Sequence, residues 1–384
     1  MLDKFEFVLP TTIKYGNDIS SSLSLEVKAL NGKNVCVITD KGLIKAGVVD
    51  QIIDPMDKDL KNNLTIFDDV EPNPRDTTVQ SGYELAKSRN VDILVAIGGG
   101  SSMDVAKAIA VLLENGGVIQ DYEGLDTVKG NATPVIAIPT TVGTGSEVTF
   151  FSVITDTKRH FKMSILSTKI APKVALVDPK LVDSLPAQIV ASTGMDALTH
   201  AIEGYTCRLS EPITDATGIY AIRMIAENLE NAVNHDNKDA KAKMLMASLL
   251  AGICFGNSDI ASVHAMAEAL GGMYDTPHGI ANAILLPYVM EYSYDADVKK
   301  FKEIAMAMGK DITGMSDLDA AKLAVDAVKE LSQKLNIPTL KDIGADPADF
   351  EQLAENSSVN VSSESNVKAI NKEGYLHLFN EAYI

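Results

Sequence analysis

Along the first half of the chain, short apolar runs alternate with stretches of helical periodicity. Residues 34–40 (NVCVITD), 92–97 (DILVAI), 134–139 (PVIAIP) and 173–178 (KVALVD) are rich in Val, Ile, Leu and Ala, and predict four β-strands. Strands that alternate with helical segments predict an α/β layer built on a parallel sheet. After about Pro186 the texture changes. Apolar residues recur at three- and four-residue spacing, broken at Gly, Pro and Asn, and predict helices over 187–206, 215–234, 239–255, 262–270, 296–308, 317–335 and 372–382. The expected division is an α/β domain at 1–185 and an all-helical domain at 186–384. There is no internal repeat, low-complexity segment or obvious linker, so the two are expected to share an extensive interface.

The first three strands each run into polar, Gly-rich or Thr-rich residues, and ligands of open parallel sheets bind at the carboxyl ends of strands. The second leads into Gly98-Gly99-Gly100-Ser101-Ser102-Met103-Asp104, a glycine turn that opens a helix. Backbone N–H groups there can approach an anion, and the helix start adds partial positive charge, so pyrophosphate suits the place. The pattern is not GxGxxG, and such a turn is as often purely structural. Asp40, at the end of the first strand, suits the hydroxyls of an adenosine ribose and disfavours a 2′-phosphate; it suits equally a turn or helix cap before Lys41-Gly42. The third junction, Pro139-Thr140-Thr141-Val142-Gly143-Thr144-Gly145-Ser146-Glu147, offers hydroxyl and backbone donors to a polar ligand. Taken together, the three loops favour one nucleotide-sized ligand.

In the second half, Asp196 and His200 stand four residues apart, which on a helix puts them on one face. His264 follows in an apolar helical stretch, and His278 in Asp275-Thr276-Pro277-His278-Gly279. One carboxylate and three imidazoles suit a borderline divalent cation, Fe(II) or Zn(II). Taken alone, His264 and His278 each read better as a hydrogen-bonded core histidine, and the Asp196/His200 pair as a cap with an exposed partner. The remaining histidines, His160, His235 and His377, read as surface positions.

Composition narrows the classes. With 34 Lys+Arg against 52 Asp+Glu the net charge is −18, and without a basic patch this speaks against a nucleic-acid or anionic-membrane partner. Cys36, Cys207 and Cys254 form no CxxC pair, which excludes a zinc finger or iron–sulfur site, and they read as buried small hydrophobes. Methionines 244, 246 and 266 read as core filling. Scattered cysteines, a start without the features of a signal peptide and the lack of a membrane-length apolar run make cytoplasmic the expectation. There is no GxSxG hydrolase signature.

Four ordered motifs, spread over nearly the whole chain, carry a resemblance. They are Gly98-Gly99-Gly100-Ser101-x-x-Asp104-x-x-Lys107, Ile138-Pro139-Thr140-Thr141-x-Gly143-Thr144-Gly145-Ser146-Glu147, Thr193-Gly194-Met195-Asp196-Ala197-Leu198-Thr199-His200-Ala201-Ile202-Glu203, and the run from Val263-His264 through Gly271-Gly272 to Pro277-His278-Gly279-x-Ala281-Asn282. The sequence resembles the iron-containing (group III) alcohol dehydrogenases, in the branch of lactaldehyde reductases, 1,3-propanediol dehydrogenases and short-chain alcohol dehydrogenases. The resemblance implies a dehydroquinate synthase-like fold, an N-terminal α/β dinucleotide-binding domain with a parallel sheet and an all-α metal-binding domain, with a cleft between them. It implies one divalent metal, Fe(II) or alternatively Zn(II), on Asp196, His200, His264 and His278. NAD(H) would be held by Asp40, Gly98, Gly99, Gly100, Ser101, Asp104, Thr140, Thr141, Ser146 and Lys162. Phe151 and Phe255 are candidate substrate-pocket walls. His278 and Glu268 are the candidate catalytic residues, Glu268 standing where many relatives carry a histidine suited to proton transfer; a carboxyl could act there if burial raised its pKa. The implied activity is hydride transfer between NAD(H) and a short-chain primary alcohol or diol and its aldehyde, in a homodimer or higher homo-oligomer with the 5–15 segment at the subunit contact. A zinc polyol oxidase like glycerol dehydrogenase and a non-redox lyase on the same fold are the alternatives.

Overall fold

A computed structural model describes residues 4–159 and 161–383; His160, expected at the surface, lies outside the described residues. Nine strands occur among them: β1 (Thr12–Tyr15), β2 (Val35–Ile38), β3 (Leu64–Phe67), β4 (Ile93–Gly98), β5 (Gly124–Leu125), β6 (Val135–Pro139), β7 (Phe151–Asp156), β8 (Phe161–Leu166) and β9 (Val174–Val177). Six form an all-parallel sheet in the order β1-β9-β6-β4-β2-β3, and β5-β8-β7 form a second, smaller sheet. The four strands read from sequence are β2, β4, β6 and β9, each buried along its whole length. Alternation explains how they are covered. Cys36, Ile38, Leu94 and Ala96 face one apolar layer that includes Val105 and Ile109, while Val35, Val37, Ile93, Val95 and Ile97 face another that includes Val27, Val49 and Ile52. Helices therefore sandwich the sheet.

The chain runs from β2 outward to β3, then returns to the other side of β2 as β4 and continues to β6. Strand order reverses between β2 and β4. In open α/β sheets the crevice at the carboxyl ends of such a pair is where ligands bind, and Asp40 follows β2 as Gly98–Gly100 close β4. The β7/β8 hairpin is a departure from the sequence reading. On β7 the buried positions are Ser152, Ile154 and Asp156, whereas Phe151 and Val153 are half-exposed, so its buried face does not read as apolar.

Val8–Thr141 with Gly145–Leu185 form one compact unit, and Met1–Phe7, Val142–Thr144 and Pro186–Ile384 the other. The short Val142–Thr144 piece belongs with the helices because Gly143 packs on Thr193: a Cβ there would stand 2.7 Å from Thr193 Cβ and 2.8 Å from its carbonyl oxygen. Helices span Ala187–Thr206, Pro212–Asn234, Lys238–Asn257, Ser262–Tyr274, His278–Ser293, Val298–Ala307, Asp317–Lys334, Phe350–Ser358 and Lys372–Tyr383. Their starts are chemically marked. Glu211 accepts from the Ile213 and Thr214 backbone ahead of Pro212, Asn237 from Ala240, and Ser316 from Asp319. His278–Ser293 and Phe350–Ser358 go beyond the sequence expectation; the first has Pro287 in its interior and is apolar around most of its circumference. No single helix is long and apolar enough to cross a membrane among the described residues. His235 and His377 are exposed, the three cysteines are buried and free, and Met244 and Met266 are fully buried.

Candidate functional site

In the helical unit, the Ala187–Thr206 helix carries Asp196 and His200, one turn apart, the Ser262–Tyr274 helix carries His264 in its first turn, and the next helix begins at His278. One ligand-type atom from each of these four residues lies within 4.8 Å of the others. Asp196 Oδ1 is 3.8 Å from His278 Nε2, and Asp196 Oδ2 is 4.0 Å from His200 Nδ1. The rings of His200 and His264 stack at 4.6 Å between centroids, and those of His264 and His278 tilt at 5.2 Å. Asp196, His200 and His264 are buried, whereas the His278 side chain keeps 31% of its surface exposed, which leaves the cluster open on that side.

Burial governs the protonation of these groups, and neighbours oppose it. Desolvation would push the Asp196 carboxyl up, but His200, His278, His264 and the Asn282 amide together hold it below the ordinary range. His200 is pushed down to about 4 by burial, with Asp196 pulling the other way. For His264 burial acts downward, yet the Glu203 carboxylate outweighs it and the pKa is raised.

Residues beyond the expected set complete the surroundings. Asn282, four residues after His278 and fully buried, donates its Nδ2 to Asp196 Oδ1 at 2.7 Å and stands 3.1 Å from His264 Nε2 and 3.2 Å from His278 Nε2, while its buried Oδ1 has no hydrogen-bond partner. Glu203 contacts His264 Nδ1 at 2.5 Å. The i, i+4 and i, i+7 spacings from His278 and Asp196 were the available signals for this pair. Phe255 stacks on His200 at 4.3 Å. Glu268 lies one turn after His264, is half-buried, and accepts from Asn360 Nδ2 at 2.7 Å. Three imidazole nitrogens and one carboxylate, with the Asn282 amide nitrogen beside three of the four, form a donor set that fits a borderline divalent cation.

The α/β unit builds a different place. Gly98 adopts φ +155°, and a Cβ on it would come within 2.4 Å of Ser102 Oγ; at Gly99 a Cβ would stand 3.1 Å from the Thr141 side chain. The bare backbone here opens the Gly100–Asn115 helix, whose cap residue Gly99 supplies no side-chain acceptor to the first N–H groups. Such an uncapped helix start, lined by glycine, fits a phosphate. Ser101 and Thr141 are half-buried beside it, and buried Thr140 donates its N–H to the Gly98 carbonyl at 3.0 Å. Asp40 caps the short helix Lys41–Lys45 through Oδ1, accepting from Leu43 N at 3.0 Å, so the capping alternative read from the sequence is realised.

Behind the glycine turn, Lys107 is completely buried and donates to Ser146 Oγ (2.8 Å), Thr149 Oγ1 (3.1 Å) and the Phe151 carbonyl (2.8 Å). Ser146 donates to Asp104 Oδ1 at 3.0 Å, and Asp104 Oδ2 accepts from Val153 N at 3.1 Å. Asp104 and Ser146 thus serve the hydrogen bonding of the loop itself. Lys162 reaches Asn73 Oδ1 at 2.9 Å, and Phe151 lies on β7, stacked on Phe150. Burial drives Lys107 down to about 8 and Glu147 up to about 7, while Asp104 is raised by burial against the pull of Lys107. Sequence reading gave Lys107 a place in a motif but no task.

Residues 10–179 match the family model for iron-containing alcohol dehydrogenase, and residues 190–383 the C-terminal model of the Fe-containing alcohol dehydrogenase family. A 1,3-propanediol dehydrogenase of Citrobacter freundii is 41% identical over 383 residues, covering 99% of both chains. Among solved structures, a 1,3-propanediol oxidoreductase superposes with a TM-score of 0.95 at 40% identity, covering 99% of this chain and all of the other. The sulfoacetaldehyde reductase of Bifidobacterium kashiwanohense, solved in complex with NAD+, gives 0.88 at 32% identity and covers 100% of this chain and 99% of its own. With both halves matched in order and relatives aligned end to end, the chain belongs to the iron-containing alcohol dehydrogenase family of oxidoreductases.

Proposed function

We propose that this enzyme reversibly interconverts a short-chain primary alcohol or diol and its aldehyde, using NAD(H) and one divalent cation, Fe(II) or alternatively Zn(II). The observation that carries this reading is the convergence of Asp196, His200, His264 and His278 from three helices to within 4.8 Å. These four are the proposed cation ligands, in a functional division of 1–185 for the dinucleotide and 186–384 for the cation. When bound, the cation supplies Lewis-acid polarisation of a carbonyl or alkoxide oxygen, and the dinucleotide supplies or accepts the hydride.

The chain's own residues do the rest. Asn282 gathers Asp196, His264 and His278, so that the donors are arranged before any ligand arrives. Phe255, stacked on His200, gives the cluster an apolar wall that excludes water beside a small substrate; Phe151, on β7 of the α/β unit, is also proposed as a substrate-pocket residue. His278, the exposed member, and Glu268, one turn after His264, are the proposed proton-handling groups. In the α/β unit, the Gly98–Ser101 turn binds the pyrophosphate, Asp40 the adenine ribose, and Asp104, Thr140, Thr141, Ser146 and Lys162 shape the remaining dinucleotide site. The negative charge of Asp40 favours NAD(H) over its 2′-phosphorylated form.

Aldehyde-dependent oxidation of NADH, measured across short aldehydes and hydroxyaldehydes, tests the reading. Activity should vanish after chelation and return with Fe(II) or Zn(II). Turnover without net NADH consumption would instead favour the non-redox alternative, and a rate indifferent to chelation would remove the cation from the account. Three free, buried cysteines agree with work in the cytoplasm. The exposed Phe5, Leu9 and Tyr15, the last of them on the edge strand β1, are the proposed contact of a homodimer.

A further inference from the structure

Glu203 lies three residues after His200 and seven after Asp196, on the same face of the Ala187–Thr206 helix. Its carboxylate is buried, and both oxygens are engaged across to the neighbouring helix. Oε1 accepts from Val263 N at 2.6 Å, and Oε2 accepts from Ala261 N at 2.9 Å and from His264 Nδ1 at 2.5 Å. Ala261, the cap residue of the Ser262–Tyr274 helix, provides no side-chain acceptor of its own, so Glu203 is at once the missing helix cap and the partner of the imidazole. A carboxylate at Nδ1 demands a proton on Nδ1. That leaves the Nε2 lone pair of His264 on the opposite edge of the ring, where Asn282 Nδ2 stands 3.1 Å away with Asp196 Oδ1 and His278 Nε2.

We propose that Glu203 is a positioning residue: by holding His264 in the Nδ1–H tautomer and in one ring orientation, it presents Nε2 to the divalent cation and sets how tightly the cation is held. This rests on the cation reading above. The physical basis is general, since an outer carboxylate on a ligating histidine fixes its tautomer and raises its basicity, and its loss typically weakens metal binding about 10–100-fold. Glutamine has nearly the same shape and can still accept from a backbone N–H. Its amide NH2, however, sets a donor against either Val263 N–H or His264 Nδ1–H. Relief at the imidazole requires the Nε2–H tautomer, which has no lone pair for a cation on that nitrogen.

Zinc affinity of the full-length, chelator-stripped protein, measured by competition with a chromophoric chelator, separates this role from capping alone. Glu203→Gln should raise the Kd for zinc about 10–100-fold. Asn237→Ala, which removes the cap that accepts from Ala240 N at 3.0 Å, should lower the unfolding midpoint yet leave the zinc Kd unchanged. A second measurement needs no variant: in the zinc-loaded wild type, 15N spectra of labelled histidine should show His264 protonated at Nδ1. Equal affinity in wild type and Glu203→Gln, equal loss in both variants, or an unprotonated Nδ1 would overturn the proposal while the cation reading stands. Failure of the wild type to take up zinc would overturn both.

Discussion

Each unit of the molecule buries a cluster of ionisable side chains, and the two clusters solve the cost of burial in opposite ways. In the α/β unit, Asp104 and Glu147 lie near Lys107, a cation supplied by the chain itself, and their protonation drifts toward neutrality: Lys107 down to about 8, Glu147 up to about 7. In the helical unit, Asp196 keeps its charge more firmly than an ordinary carboxyl, although its ion-pairing neighbours among the described residues are histidines. A buried set of acceptors paired with no lysine or arginine among the described residues fits a cation, whereas a set that contains its lysine ties its own loop together. Buried charge is costly unless it is paired, so the choice of partner is the functional statement.

Replacing the charged member of either cluster should therefore fail in different currencies. Asp196→Asn keeps the shape but removes the charge, and the rate of aldehyde reduction should fall by about 10^3-fold or more, since a bound Lewis acid is worth several kcal/mol of transition-state stabilisation. Cation content measured on the same preparation should fall with it; a rate that survives would break the comparison. Lys107→Met should act mainly on stability. It strands Asp104 and Glu147 without a counter-charge and removes donors from Ser146, Thr149 and Phe151, a loss of about 3–5 kcal/mol by denaturant unfolding. The cation bound per chain should stay the same.

Glu147→Gln should give the smallest effect and the most diagnostic one. The Glu147 carboxyl is pushed from an ordinary 4.5 to about 7 by burial, so the folded state binds that proton more tightly than the unfolded state. Its contribution is full below about pH 4.5 and is lost as pH rises through about 7, where the buried carboxyl, with Oε1 unpartnered, must ionise. Unfolding midpoints of wild type should decline from pH 5 to 8, and Glu147→Gln should flatten that decline by about 1–3 kcal/mol. Parallel curves for the two proteins would show that Glu147 does not titrate in this window.

Much of this architecture is legible in the sequence, for identifiable reasons. The central strands are apolar at every position because both faces are covered, and Asp196 with His200 follows the helical repeat. What hid was what broke those patterns. The His278–Ser293 helix starts at Pro277-His278-Gly279, which reads as a loop, contains Pro287, and offers no polar stripe to mark its period. The β7 strand buries Ser152 and Asp156 and half-exposes Phe151, inverting the usual alternation because Ser152 Oγ donates to the Asp104 carbonyl and Asp156 accepts from Arg159. Lys107, Glu203 and Asn282 stood within recognisable motifs; helical spacing puts Glu203 on the face of Asp196 and Asn282 on that of His278, but their tasks also depend on partners 39, 61 and 86 residues away, which spacing alone does not give.

The central claim is that four side chains from three helices form one cation site that serves NADH-linked reduction. Its most direct test is to count divalent cations per chain and to measure aldehyde-dependent NADH oxidation in anaerobically purified wild type and His264→Ala. One cation per chain with activity in the wild type, and loss of both in His264→Ala, is the predicted result. Retention of the cation and the rate in His264→Ala would contradict it.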